Sequence, residues 1–204
     1  MTVDAMFNEQ PEVLVPGHTR PIVGSEVAAE MLTNYRDAIQ FVFDKTVEGI
    51  NEGLTPNQLI EYVQLPEKYL TLDYLRPHYG NPEWAVRSIF AGYLGWFDGN
   101  ATNLFPLTDK EEATRLAKMA GGISQLRAQS EAAMEEGDYQ WVLKLSDYIL
   151  ALEPRSTDAK LRKADAMTKL AEVVITTTAR NYYLSSAKQL RESAAAMVVS
   201  APDE

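Results

Sequence analysis

The chain contains two histidines, His18 and His78, and no cysteine. That scarcity sets the chemistry: thiolate nucleophiles, disulfides and cysteine-built zinc sites are excluded. His18 is the better placed imidazole. It follows the apolar run Val13-Leu14-Val15 through Pro16-Gly17, and a histidine beside glycine at a strand end can ligate a metal at the open edge of a sheet. A catalytic zinc takes three protein ligands and a two-metal centre more. No His-x-His or His-Glu-x-x-His spacing supplies them, so on its own residues the chain reads His18 as a loop histidine.

Other catalytic patterns are missing. There is no Gly-x-Ser-x-Gly elbow, and Gly121-Gly122 has no following Lys-Ser/Thr to cradle phosphate. The acidic runs Asp109-Lys-Glu-Glu112 and Glu135-Glu136 fall at helix starts or on polar faces, where they cap and solubilise. The most unusual stretch is aromatic, from Tyr79-Gly80-Asn81-Pro82 to Tyr93-Leu-Gly-Trp96-Phe97-Asp98-Gly-Asn100. It suits either an apolar-chain pocket rimmed by tyrosine hydroxyls or a packed helix end serving as core or subunit contact.

The elements that must position these residues are nearly all helical. Hydrophobic content of 46% and charged content of 24% fit a globular chain with a real core. A net charge of −10 without Lys/Arg clusters argues against nucleic acid. No apolar run is long enough to span a bilayer, and residues 1–13 show no basic n-region or apolar h-region. Compartment stays open between cytoplasm and periplasm.

Pro11–Pro16 reads as a short strand, and Gly17–Pro21 as a loop. Ser25 is expected to cap a helix whose apolar stripe is Val27, Met31, Tyr35, Ile39 and Val42. Thr55-Pro56-Asn57-Gln58 is a capping box with proline at the first helical position. Residues 66–81 look irregular. Asn81-Pro82 restarts a helix with Trp84, Ile89, Phe90 and Tyr93 on its apolar face, stopped by Asp98-Gly99-Asn100. Thr108 to Glu111 is a second capping box, opening a helix up to Gly121-Gly122.

Four more helices are predicted: about 123–137, from Asp138 to before Pro154, 156–174 and 178–197. Glu136-Gly137-Asp138-Tyr139 through Ala151-Leu-Glu-Pro154 has the offsets of the second helix of a tetratricopeptide repeat. One convincing repeat is too few for a solenoid, which favours a hairpin used for packing or subunit contact. The fold class is all-α: a helical bundle with tetratricopeptide-like hairpins after a short strand.

Several of these strings together resemble one family. Pro-Gly-His18-Thr-Arg-Pro, Asn34-Tyr-Arg-Asp-Ala-Ile39, Gly53-Leu-Thr-Pro56, Tyr93-Leu-Gly-Trp-Phe-Asp-Gly-Asn100, Gly137-Asp-Tyr-Gln-Trp141 and Arg180-Asn-Tyr-Tyr-Leu184 closely resemble the alkyl sulfatases of the metallo-β-lactamase superfamily. The resemblance runs from about residue 10 to about 192. It implies a zinc hydrolase in three parts: a binuclear-zinc catalytic domain, a helical dimerisation domain and a sterol-carrier-like domain. Such an enzyme cleaves alkyl sulfate esters to alcohol and sulfate. On that map residues 1–24 are the end of the catalytic domain, 25–199 the dimerisation domain and 200–204 a disordered tail.

His18 matches the last histidine ligand of the family's metal site. The upstream His-x-His-x-Asp-His motif and the ligating carboxylates are absent from this chain. The resemblance therefore implies zinc only in a complete enzyme and no catalysis by these 204 residues alone. Arg20 and Tyr93 are candidates for pocket or sulfate contacts, by chemical type and by their place beside the resembling motifs. The partners implied are a second copy of the chain and the two missing domains, in cis or in trans. The alternative is a free-standing tetratricopeptide-like scaffold or peptide-binding module without activity. A third reading is an enzyme half that completes its metal site in trans. Residues 1–20 are expected to be mobile or rearranged unless a partner covers the strand edge.

Overall fold

The computed structural model describes residues 2–199, so the tail assigned to 200–204 lies outside the described residues. The chain forms two compact units, divided between Leu104 and Phe105. Each is described by itself.

The first unit begins with helix α1 (Thr2–Asn8), which the sequence reading does not anticipate. Asp4 lies in its first turn, favourable for the helix dipole, and reaches Arg36 at 3.8 Å. Strands β1 (Val13–Leu14) and β2 (Ile22–Val23) then pair antiparallel, Val13 opposite Val23 and Leu14 opposite Ile22. Gly24 N–H donating to the Glu12 carbonyl at 2.8 Å carries the register one step further. The expected strand is thus one arm of a small hairpin, held short by Pro16 and Pro21, which cannot donate to a ladder.

Helix α2 (Ser25–Asn51) follows at once. Its cap is Gly24 and not Ser25: Gly24 turns the chain from strand to helix at φ 112°, where a side chain would be strained, and Ser25 becomes the first helical residue. Helix α3 (Pro56–Tyr62) starts at the Thr55–Gln58 capping box, with both reciprocal bonds formed. The stretch expected to be irregular contains the short helix α4 (Glu67–Leu70) and a 3-10 turn at Asp73–Leu75. Helix α5 (Pro82–Leu94) is capped by Asn81, whose side chain accepts from Trp84 N–H. It ends at Gly95, φ 78°, earlier than the sequence suggests; Asp98 and Asn100 instead organise the following 3-10 turn Ala101–Asn103. The inward residues of α5 are Val86 and Phe90, while Trp84 and Tyr93 face outward, a rotation of the expected apolar face.

The core of this unit is Val42, Leu59, Val63, Val86 and Phe90, where α2, α3 and α5 meet. Gly49 makes that meeting possible. A β-carbon there would stand 2.5 Å from Leu59 Cδ2, 3.1 Å from Leu54 Cδ1 and 3.2 Å from Tyr62 Cδ1. A surface network reinforces the junction: Lys45 Nζ donates to Glu48, and the Tyr62 hydroxyl donates to Glu48 Oε1 at 2.5 Å. The hydrogen bond from Lys45, then that from Tyr62, holds the Glu48 carboxyl below its ordinary value.

The second unit is a run of helices joined by short connections: α6 (Asp109–Ala120), α7 (Ile123–Glu136), α8 (Tyr139–Leu152), α9 (Thr157–Val173) and α10 (Thr177–Val199). Each packs on the next, and α6 also packs on α8. Their ends follow the expected signals: the Thr108–Glu111 box, Gly121 and Gly137 in the left-handed conformation, Asp138 accepting from Trp141 N–H, and Ser156 from Ala159 N–H. The core holds Leu126, Leu145 and Ile149 toward one end, and Ala133, Val142, Leu143 and Ala166 in a second cluster. Buried Ala159, Ala164, Ala166 and Ala171 of α9, with Ala187 and Ala194 of α10, let those two backbones approach closely. Among them Lys160 is almost fully buried and donates to Ser193 Oγ at 2.9 Å, an ammonium beside the negative end of α10.

Two predictions follow from the first unit's junction. Gly49→Ala will destabilise it by about 1–3 kcal/mol in urea unfolding, because overpacking against buried Leu59 outweighs the gain in helix propensity. Since Glu48 has a lowered folded pKa, its contribution is present above the ordinary glutamate range and is lost as pH falls through the folded value. Tyr62→Phe will therefore flatten the acid side of the stability profile, measured as urea midpoint against pH.

Candidate functional site

His18 sits at the tip of the β-hairpin, midway along the loop 15–21 that joins β1 to β2. Prolines at both ends of that loop limit its backbone and project the imidazole outward. The ring is exposed, but it meets Tyr79, the ring centroids lying 5.1 Å apart at 37°. Arg20, two residues on, is exposed on the same loop. Tyr93 lies elsewhere: it is 63% exposed on α5, with its ring 6.2 Å from that of Phe43 on α2. Among the described residues no hydrogen bond, ion pair or ring contact joins Tyr93 to His18 or Arg20.

The donor set around His18 does not fit a zinc centre. Among the described residues no three of His, Cys, Asp and Glu come together as a metal group, and the neighbour His18 does have is a phenol ring. No catalytic step is derivable from this chain's residues through such an ion.

The second feature is the face of α2. Seven residues make about two helical turns, so Ala28, Tyr35, Val42 and Gly49 share one row, and Leu32, Ile39 and Thr46 the adjoining one. Ala28, Leu32, Val42, Thr46 and Gly49 are all buried. Tyr35 and Ile39, in the middle of the same seam, are each 45% exposed. Of the stripe predicted from sequence only Val42 is buried: Val27 is exposed and Tyr35 and Ile39 are half-exposed, so the covered face of α2, which includes Ala38 at mid-helix, is rotated from the predicted one. Phe43 and Tyr93 extend the open patch. Its chemistry is apolar and aromatic, with no unpaired charge at its centre: Arg36 is bonded to Asp37, and Gln40 donates to Asp44. Such a surface binds another surface, not a small polar ligand.

Sequence reasoning singled out the aromatic stretch that begins at Tyr79 but not its contact with His18, because nothing in either string refers to the other. It missed the open seam because spacing reports which face is apolar and not what lies on it.

The model of alkyl sulfatase dimerisation matches residues 55–193. The chain belongs to the alkyl sulfatase dimerisation family. It is similar to a linear primary-alkylsulfatase of a Pseudomonas species, 37% identical over 190 residues, which is 93% of this chain and 36% of that protein. An (R)-specific secondary-alkylsulfatase, also from Pseudomonas, is 31% identical over 91% of this chain and 28% of its own length. Among solved structures, the stereoselective inverting sec-alkylsulfatase Pisa1 from Pseudomonas superposes with a TM-score of 0.84 at 30% identity, covering 94% of this chain and 31% of that one. The chain thus corresponds to a segment spanning about a third of the length of the alkylsulfatases it matches. The match to them begins well before residue 55, so the hairpin and α2 belong to the shared region.

For a member of this family with one imidazole at its hairpin tip, added zinc should leave the thermal midpoint of the purified chain unchanged. Differential scanning calorimetry with and without zinc checks this; a rise in midpoint that disappears in His18→Gln would show a site assembled some other way.

Proposed function

We propose that the chain acts as the self-association segment of an alkyl sulfatase-type hydrolase, forming a homodimer through the uncovered α2 seam. The observation that carries this is the exposure of Tyr35 and Ile39 within a row whose other members are buried, with Phe43 and Tyr93 alongside. A soluble protein rarely leaves so continuous an apolar face open, and two-fold pairing of one patch with itself is the commonest way to close it. The family's description points the same way.

In the complete enzyme we assign residues 1–24 to the end of a metallo-β-lactamase-type catalytic domain and 25–199 to the helical dimerisation domain. The reaction would be hydrolysis of alkyl sulfate esters to alcohol and sulfate, with His18 contributing one ligand to a binuclear zinc site whose remaining ligands are not in this chain. Arg20, on the His18 loop, is a candidate contact for the sulfate group. Tyr93 is better suited to the subunit contact, since its ring stands with Phe43. No helix among the described residues is long and apolar enough to cross a membrane.

Light scattering of the purified chain should give twice the 22.8 kDa chain mass, with or without zinc. Ile39→Glu, at a half-exposed position that tolerates charge in the monomer, should raise the dimer dissociation constant by more than about tenfold, or roughly 1.4 kcal/mol. A monomer at micromolar concentration would overturn the proposal and favour the free-standing scaffold. A dimer indifferent to Ile39→Glu would place the interface on another face.

A further inference from the structure

The segment 72–79 is fastened to the hairpin that carries His18. Leu72 and Tyr74 line a cleft of about 160 Å³ together with Ile22 of β2 and Val27, Glu30 and Met31 of α2. Asn34 Nδ2 donates to the Tyr74 hydroxyl at 2.9 Å, which pins the segment to α2 from the side. Beyond that anchor the backbone is held by local bonds, Arg76 N–H to the Asp73 carbonyl at 3.3 Å and His78 N–H to the Arg76 carbonyl at 2.8 Å. Pro77 further restricts it. The chain so directed ends with Tyr79 against the His18 ring.

Tyr79 is 56% exposed, so burial of its own surface does not explain its place. It stands beside an imidazole that is itself exposed, the two rings tilted by 37°. A loop histidine has free rotation about two side-chain bonds; an aromatic plane at 5.1 Å removes much of that freedom and favours one ring orientation. The two residues come from opposite sides of the boundary at which the family match begins, His18 before residue 55 and Tyr79 after it.

We propose that Tyr79 is a positioning residue for His18: the helical part of the chain, through the 72–79 segment, sets the orientation of the imidazole on the hairpin tip. This rests on the reading of His18 as a functional imidazole in the complete enzyme, and it makes the dimerisation segment one wall of that site. Tyr79 touches no reacting group in this assignment; it acts through His18.

The experiment uses the 204-residue chain, whose two imidazoles give two sets of ring resonances, assigned with His18→Gln and His78→Gln. The His18 ring protons should be displaced from their random-coil positions by the Tyr79 ring current. That displacement should be lost in Tyr79→Leu and kept in Tyr79→Phe, with circular dichroism and thermal midpoint unchanged in both. Asn34→Ala, which frees Tyr74 without touching either ring, should reduce the displacement without abolishing it. His18 resonances that are unmoved in Tyr79→Leu would overturn the inference. Light scattering on the same samples keeps the two readings apart. Loss of the His18 displacement in a sample that is still dimeric supports the positioning role. A monomer with the displacement intact would count against the dimerisation reading alone.

Discussion

Helix α2 carries more apolar surface than its own unit can cover, and much of the molecule's behaviour traces to that mismatch. At 1.5 Å per residue its 27 residues extend roughly 40 Å, whereas the 13 residues of α5 extend roughly 20 Å and the seven of α1 roughly 10 Å. No one element can lie along the whole seam. The C-terminal part is closed tightly, Gly49 admitting Leu59 and Val42 joining the core with Phe90. Ala28 and Leu32 are buried at the N-terminal part. In the middle turns Ala38 is buried but Tyr35 and Ile39 stand half covered.

How far this could be read from sequence depended on whether the cause was local. Capping boxes at Thr55 and Thr108, and the Gly137-Asp138 turn, are decided within four or five residues, and their geometry is as expected. Where a local rule had a competitor, the reading slipped. Ser25 is a good cap by type, but Gly24 alone can take the positive φ that the strand-to-helix turn demands. The helix after Pro82 stops at Gly95 for the same reason, before the more conspicuous Asp98-Gly99-Asn100. Its rotation, with Trp84 and Tyr93 outward, is a tertiary choice: Val86 and Phe90 fit between α2 and α3, and the bulkier aromatics do not need to. All-α architecture and the family were legible early because they rest on period and on long exact strings. The contact between His18 and Tyr79 was not, since nothing in either neighbourhood refers to the other.

That contact and the open seam belong to the same unit, and this has a consequence for how such a segment works. The hairpin holding His18 packs on α2, and the segment holding Tyr79 is bonded to α2 through Asn34. One long helix therefore serves as the common base for both the imidazole and the ring that steadies it. Whatever covers the centre of α2 also stiffens that base, because a half-covered helix turn gains order when its apolar side chains are buried. The proposed contact face and the His18 corner thus share one helix as their base.

The charge pattern explains why such a surface can stay open without loss of specificity. With a net charge of −10, two copies repel at long range, and repulsion is weakest where acids are neutralised. On the polar face of α2 Asp37 is bonded to Arg36, Asp44 accepts from Gln40 and Glu48 is held by Lys45 and Tyr62. These carboxylates stand about half a turn around the helix from Ile39, so the apolar centre itself carries none of them. A surface laid on the seam therefore desolvates few charges. In the self-contact proposed above, burial of Tyr35, Ile39 and Phe43 would supply the attraction, and no salt bridge across the contact is required.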